Sequence, residues 1–141
     1  MMELVPVLRE TRFALPADYS ALAVARIDGR TRLTVLGWPG SQHDAVNVLY
    51  VLVRNALEHG VTPDTQTFEV RLTVTDGDGL LVEVDDPNPK FPEFDRAIGG
   101  ELGRGLWEAQ RCGATITYFP ADREGGGKTV RATLRPGPVA P

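Results

Sequence analysis

Four places in the chain carry residues that a purely structural sequence has less use for. Asn55 interrupts the apolar run "DAVNVLYVLVRNALEHG", and at about 100° per residue Val48, Val51, Leu52 and His59 share its helical face. A buried asparagine must find hydrogen-bond partners or cost about 1–3 kcal/mol. It either ties down a loop carbonyl or offers its amide oxygen to Mg²⁺, a cation that takes oxygen donors and keeps several waters. Asp86 ends "LLVEVDD" and opens "DPNP". There it is either a turn initiator or an acceptor-only carboxylate for an exocyclic amine. Adenine has such an amine; guanine presents a carbonyl at the matching position.

The third place is "GGELGRGL" (99–106). No strand precedes it, so it is not a dinucleotide fingerprint. Gly103 and Gly105 nevertheless stand where a helix starts, and free N–H groups and the helix dipole favour an anion there. Arg104 adds a positive charge, although a plain loop-to-helix turn accounts for the glycines too. The fourth is "GGGKT" (125–129), which ends like a phosphate-binding P-loop. That motif needs a glycine five positions before its GKT glycine and a helix leaving it. Here the first position is Asp122, and Val130, Ala132 and Leu134 alternate with polar residues as a strand does. The stretch is therefore a turn into a last strand, with Thr129 free to point into a pocket built elsewhere. Lys128 loses its standing as a P-loop phosphate ligand.

Elements that position these residues follow from periodicity. "TRFALPA" (11–17) alternates as a first strand, and Asp18 or Ser20 can cap a helix to about Trp38 with Leu22, Ala25 and Leu33 inward. Ser41 or Asp44 can cap a second helix, which ends at Gly60. From residue 67 the period becomes two: Phe68, Val70, Leu72 and Val74, the turn signal "DGDG", then Leu80, Val82 and Val84. "DDPNPKFPEFDRAIGGELG" is too rich in proline and glycine for an element and reads as a functional loop. "RGLWEAQRCG" is a third helix, and "ATITYFP" and "KTVRATL" flank "ADREGGG" as a final hairpin. The fold class is α+β, a mostly antiparallel sheet with helices on one face.

Composition narrows the function classes. The 141 residues suffice for one domain with a real core, and 42% hydrophobic and 24% charged residues describe a globular chain. Residues 1–10 are expected to be a flexible N-terminus, 11–134 the domain, and the proline-rich 135–141 a disordered tail. No apolar run approaches the roughly 20 residues of a membrane span, and charges near the N-terminus argue against a signal peptide. Cys112 is the one cysteine and has no partner for a disulfide or zinc site. A cytoplasmic location is expected. A net charge of −4 with scattered basic residues disfavours direct nucleic-acid binding.

Taken in order, Asn55 in "VLVRNALEHG", Asp86 in "LLVEVDDPNP", "GRGL" before a helix and the closing "GGGKTVRATL" resemble the boxes of the histidine-kinase-like ATP-binding domain (the Bergerat or GHKL fold). They are most similar to its small branch, the anti-sigma regulatory factor serine kinases of actinobacteria. The opening "FALPADYSALAVARI" is similar to that branch's first strand and helix, so the resemblance spans about residues 11 to 134. It implies a two-layer sandwich of a mixed, mostly antiparallel sheet with helices on one face, and ATP and Mg²⁺ as cofactors. It makes Asn55 the Mg²⁺ ligand and Asp86 the adenine-reading aspartate. Gly103, Arg104 and Gly105 become the turn at the phosphates, the loop from about Pro87 to Leu102 a short lid, and Gly127, Lys128 and Thr129 the last box. Arg26 matches an arginine near the family's dimer and partner surfaces. Implied partners are a sigma factor, a STAS-type antagonist, or a second copy in a homodimer.

The sequence departs from the pattern at Val51, where the family kinases carry the glutamate that serves as general base. Valine cannot accept a proton. Glu58, about a turn after Asn55, is the replacement candidate. The resemblance thus supports nucleotide binding in a partner-switching regulator and leaves serine/threonine kinase activity without its base. The alternative is a non-catalytic interaction module of the same fold with degenerate or no nucleotide binding. A free-standing ATP hydrolase ranks last, because activating water needs the same missing carboxylate.

Overall fold

A computed structural model describes residues 7–100 and 105–137. Five strands form one sheet in the order β1-β2-β3-β5-β4, with β1 at Val7–Pro16, β2 at Thr67–Thr75, β3 at Leu80–Asp86, β4 at Thr115–Pro120 and β5 at Lys128–Leu134. All four pairings are antiparallel. β1 begins four residues before the strand expected at 11, and residues 138–141 of the expected tail lie outside the described residues. Two long helices, α1 (Ser20–Leu36) and α2 (Gln42–Asn55), and two short ones, α3 (Phe94–Ile98) and α4 (Gly105–Arg111), complete the chain.

The period of two sorts the strand residues onto two faces. Phe13, Leu15, Phe68, Val70, Leu72, Val74, Leu80, Val82, Val84, Val130, Ala132 and Leu134 are buried in one cluster with Ala25, Leu33, Leu49, Leu52 and Val53 of the helices. That is the core, and it fixes the two-layer α+β architecture. α1 buries Ala21, Ala25, Gly29, Leu33 and Leu36, and its small residues let it approach α2; a Cβ on Gly29 would come within 2.6 Å of Leu49 Cδ2. Ser41 caps α2, its hydroxyl accepting from Asp44 N at 3.2 Å. Asp18 instead accepts from Ser20 N at 2.8 Å, outside α1, whose cap position is Tyr19. Trp38 is core packing, and its indole N–H donates to Asp78 O at 2.8 Å.

The face of the sheet opposite the core carries paired charge. Arg71 donates twice to Asp85, at 2.7 and 2.8 Å, and once to Glu69 at 2.9 Å. Arg131 binds Glu83 at 2.9 Å, and Thr129 donates to Asp85 Oδ1 at 2.6 Å. Burial works to raise the Asp85 carboxyl, but the bonds from Arg71 and Thr129 and the nearby guanidinium outweigh it and hold it below the ordinary 3.8. A carboxyl lowered on folding stabilises the fold fully above its unfolded value and loses that contribution as pH falls through its lower folded one. Urea midpoints measured across the acid range are therefore expected to fall with pH, and Asp85→Asn to flatten that limb.

Two elements differ from the sequence expectation. Helix α2 does not run to Gly60 as a regular helix: after Asn55 the chain makes a π turn over Ala56–Gly60, closed by Val61 N donating to Ala56 O at 2.9 Å. The stretch read as a bare loop holds α3. It is fastened by Phe91 and Phe94, whose rings lie 5.2 and 4.8 Å from Tyr118 and 4.9 Å from each other. Gln110 of α4 adds a bond to Ile98 O at 2.9 Å.

Candidate functional site

Between α2, the segment that follows β3, and the start of α4 lies a cavity of about 590 Å³, within the usual 300–1,000 Å³ or so of small-molecule sites. The helical wall is Tyr50, Val51, Arg54 and Asn55, continued by Glu58 and His59 of the π turn. Asn88, Phe91 and neighbours form the second wall, Gly105, Leu106 and Glu108 the third, and Lys128 of β5 closes the floor. Three of the expected nucleotide-site residues, Asn55, Gly105 and Lys128, thus line one cavity. Gly103 and Arg104 fall outside the described residues.

Asn55 is half-buried and in the wall. It stands where α2 passes into the π turn. Val51, one turn earlier, is in the same wall, and a Cβ on Gly105 would reach to 3.9 Å from its Cγ1. The apolar residue at the base position therefore faces the head of α4. Glu58 reaches the cavity, but its carboxylate accepts from Arg54 Nε at 2.6 Å. Arg26 stacks its guanidinium over Tyr50, 4.1 Å from the ring centroid, so it stands one side chain outside the wall.

Asp86 lies one layer behind the floor. It is 1% exposed and bonds to two lining residues: Lys128 Nζ donates to its Oδ1 at 3.0 Å, and Asn88 N donates to the same oxygen at 2.9 Å. Its other oxygen, Oδ2, is buried and has no partner among the described residues. Two glycines make room for it. A Cβ on Gly60 would sit 2.5 Å from Oδ2, and one on Gly127 would sit 2.3 Å from the Asp86 carbonyl oxygen. Burial pushes the Asp86 carboxyl up by more than the Lys128 and Asn88 bonds hold it down, leaving it above its ordinary 3.8. Asn88 also donates its amide to His59 O at 3.2 Å, which fastens the base of the segment to the π turn.

The last box needs a correction. The register pairs Asp86 with Lys128 and Asp85 with Thr129. Directly paired residues share a face and neighbours do not, so Lys128 points to the cavity while Thr129 points to the opposite face and bonds Asp85. Thr129 does not enter the pocket. Gly127 bounds Asp86 rather than the cavity. Sequence reasoning missed Tyr50, Asn88, Phe91 and Glu108 as lining residues. The signal for Phe91 was its spacing from Phe94 within a proline-rich stretch; Tyr50 and Glu108 sit on helix faces with nothing in the sequence to single them out.

Among the described residues no group of three or more histidines, cysteines, aspartates or glutamates could hold a metal. The donor set instead fits a cation that arrives with its own ligands: Asn55 offers one amide oxygen, and Mg²⁺ characteristically takes few protein ligands and completes its shell with phosphates and waters. Among the described residues no helix is long and apolar enough to cross a membrane.

No protein-family model matches the sequence, and no curated protein matches it. Solved structures do. The crystal structure of the RsbU and RsbW domains of Rv1364c from Mycobacterium tuberculosis aligns with a TM-score of 0.61 and 22% identity, covering 91% of this chain and 32% of that one. The histidine kinase domain of the Erythrobacter litoralis EL346 blue-light activated histidine kinase aligns with a TM-score of 0.50 and 26% identity, over 67% of this chain and 44% of that one. The Acinetobacter baumannii histidine kinase AdeS gives a TM-score of 0.50 and 14% identity, over 90% and 69%. The chain spans about a third of the length of the first and under half of the second.

Proposed function

From the premise that this chain has the histidine-kinase-like ATPase fold, we propose that it is an ATP-binding regulatory protein that acts by partner switching, with a sigma factor or a STAS-type antagonist as its client. One observation carries the nucleotide part: a cavity with Asn55 in its wall and, just behind its floor, a buried carboxylate oxygen that no described residue satisfies. An unpaired buried acceptor is costly, and a base amine reaching Oδ2 removes that cost. Asn55 would hold Mg²⁺ by its amide oxygen, and the metal, when bound, offsets the charge of the phosphates. Lys90 supplies further positive charge in the walls, whereas the Arg54 guanidinium there is paired with Glu58.

Val51 in the wall favours a binding switch over a kinase. Phosphoryl transfer is mostly positioning and charge neutralisation, but a residue must still accept the hydroxyl proton, and valine has no lone pair to do so. Glu58 is tied to Arg54 and sits on the widened turn. Arg26, on the exposed side of Tyr50, is the residue we assign to the partner surface, and homodimerisation remains part of the proposal. The reading is tested by calorimetric titration with ATP, with and without Mg²⁺. Micromolar to millimolar binding strengthened by Mg²⁺ is expected, and Asn55→Ala is expected to lose the Mg²⁺-dependent part. No binding at millimolar ATP would sink it and leave the non-catalytic module. Labelled ATP with a cognate antagonist is expected to leave the antagonist unlabelled.

A further inference from the structure

We propose that Lys128 reads the base, and that it lets the site accept guanine nucleotides as well as adenine ones. The inference rests on the nucleotide-binding reading above and concerns its specificity. A carboxylate alone in this position discriminates against guanine, because guanine sets a carbonyl oxygen where adenine sets an amine, and two acceptors then face each other. The floor of this cavity is not a carboxylate alone. Lys128 lines it, is 2% exposed, and stands directly across the β3–β5 register from Asp86.

An ammonium group has three N–H donors and no acceptor. Two of the three go to Asp86 Oδ1 at 3.0 Å and Asn88 O at 3.1 Å. Neither bond uses the third. The nitrogen sits 5.3 Å from the centroid of the Phe91 ring, another lining residue, so the charge is held at the cavity surface rather than released to solvent. Asp86 Oδ2, an acceptor with no partner among the described residues, lies behind this donor, against Gly60 and not in the cavity lining. What the floor itself presents is the Lys128 donor, and its complement is a base edge carrying an acceptor.

Both purines have such an edge. Adenine offers ring N1 to the Lys128 donor, and guanine offers O6. Hydrogen bonds with an ionised partner are the stronger kind. The guanine carbonyl, which an isolated carboxylate would repel, here meets a cation. Inosine triphosphate, which keeps O6 and N1–H and lacks the 2-amine, has the same edge.

The test measures dissociation constants of Mg²⁺–ATP, Mg²⁺–GTP and Mg²⁺–ITP for the wild-type protein under one buffer and salt. The expected result is that GTP and ITP bind within tenfold of ATP. A preference for ATP greater than tenfold overturns the inference while leaving ATP binding intact; failure to bind any of the three overturns the nucleotide reading and this inference with it. Lys128→Met keeps the length of the side chain and removes its donors. It is expected to weaken GTP and ITP at least tenfold more than ATP, and equal weakening of all three overturns the role of Lys128. The wild-type ratio decides the matter if that variant does not fold.

Discussion

Asp86→Asn is expected to weaken ATP binding by about a hundredfold, equivalent to about 2.7 kcal/mol. Asparagine keeps the shape of the side chain and can leave an oxygen facing Lys128 Nζ and Asn88 N, the two groups that bind Oδ1. Its amide nitrogen then replaces Oδ2, the oxygen without a partner among the described residues. A donor meets the donor of the base, and the acceptor is gone. Losing a hydrogen bond to a charged partner is worth about 1.5–3 kcal/mol, which covers the expected loss. The same oxygen predicts a pH dependence. Only the ionised carboxylate accepts, and burial has raised the Asp86 value above its ordinary 3.8. Affinity of the wild type is expected to decline on acidification before an ordinary aspartate would protonate, whereas the asparagine variant shows no such limb. Titrations across the acid range, with circular dichroism at each pH to confirm folding, measure this. Wild-type affinity that stays flat on acidification would remove Asp86 from the recognition step.

Gly127→Ala is expected to cost about 3 kcal/mol of stability, the sum of overpacking against fixed atoms and a left-handed backbone. Gly127 has φ +93°, and its added methyl would meet Asp86 O at 2.3 Å and Pro87 Cα at 3.1 Å. Both are backbone, so neither can rotate away. The clash also forces Asp86 from its place behind the cavity floor, and nucleotide affinity is expected to fall together with a melting temperature lower by about 10 °C. Gly125 is the internal control. Its φ is +89°, and nothing lies within 4 Å of its added Cβ. Gly125→Ala therefore carries the backbone strain without the collision and is expected to cost about 1 kcal/mol. Equal losses in the two variants would show that strain, and not contact with Asp86, sets the need for glycine at 127.

The layout of the domain was legible because its signals are local. Alternation in Phe68–Val74 and Leu80–Val84, the turn between them, the cap at Ser41 and the final hairpin each lie within a dozen residues, and all reappear in the sheet and helices. Asn55 and Asp86 stood out because each polar residue breaks an apolar pattern. What stayed hidden depends on distant pairing. The alternation of β5 already puts Lys128 on the Val130 face and Thr129 on the polar one, but that the Val130 face meets Asp86 and the cavity is set by β5 registering on β3 across 42 residues of chain. α3 formed in a stretch whose prolines argued for a loop, because Phe91 and Phe94 found Tyr118 on a strand that follows later in the chain. The widening of α2 after Asn55 has no residue signature at all.

That wide turn makes the site depend on chain length as well as on residue identity. Five residues, 56–60, make the π turn, and a turn of this kind holds one residue more than a regular helix would use. Removing any one of them lets the segment wind into ordinary α-helix, so the fold itself can survive the loss. Everything downstream is then rotated: Gly60 leaves Asp86, and the His59 carbonyl leaves Asn88. Glu58 and His59, exposed and replaceable by type, are held by count. Descendants of this chain are thus free to exchange letters at 58 and 59, while a single-codon deletion in the turn would dismantle the pocket and leave a folded protein behind.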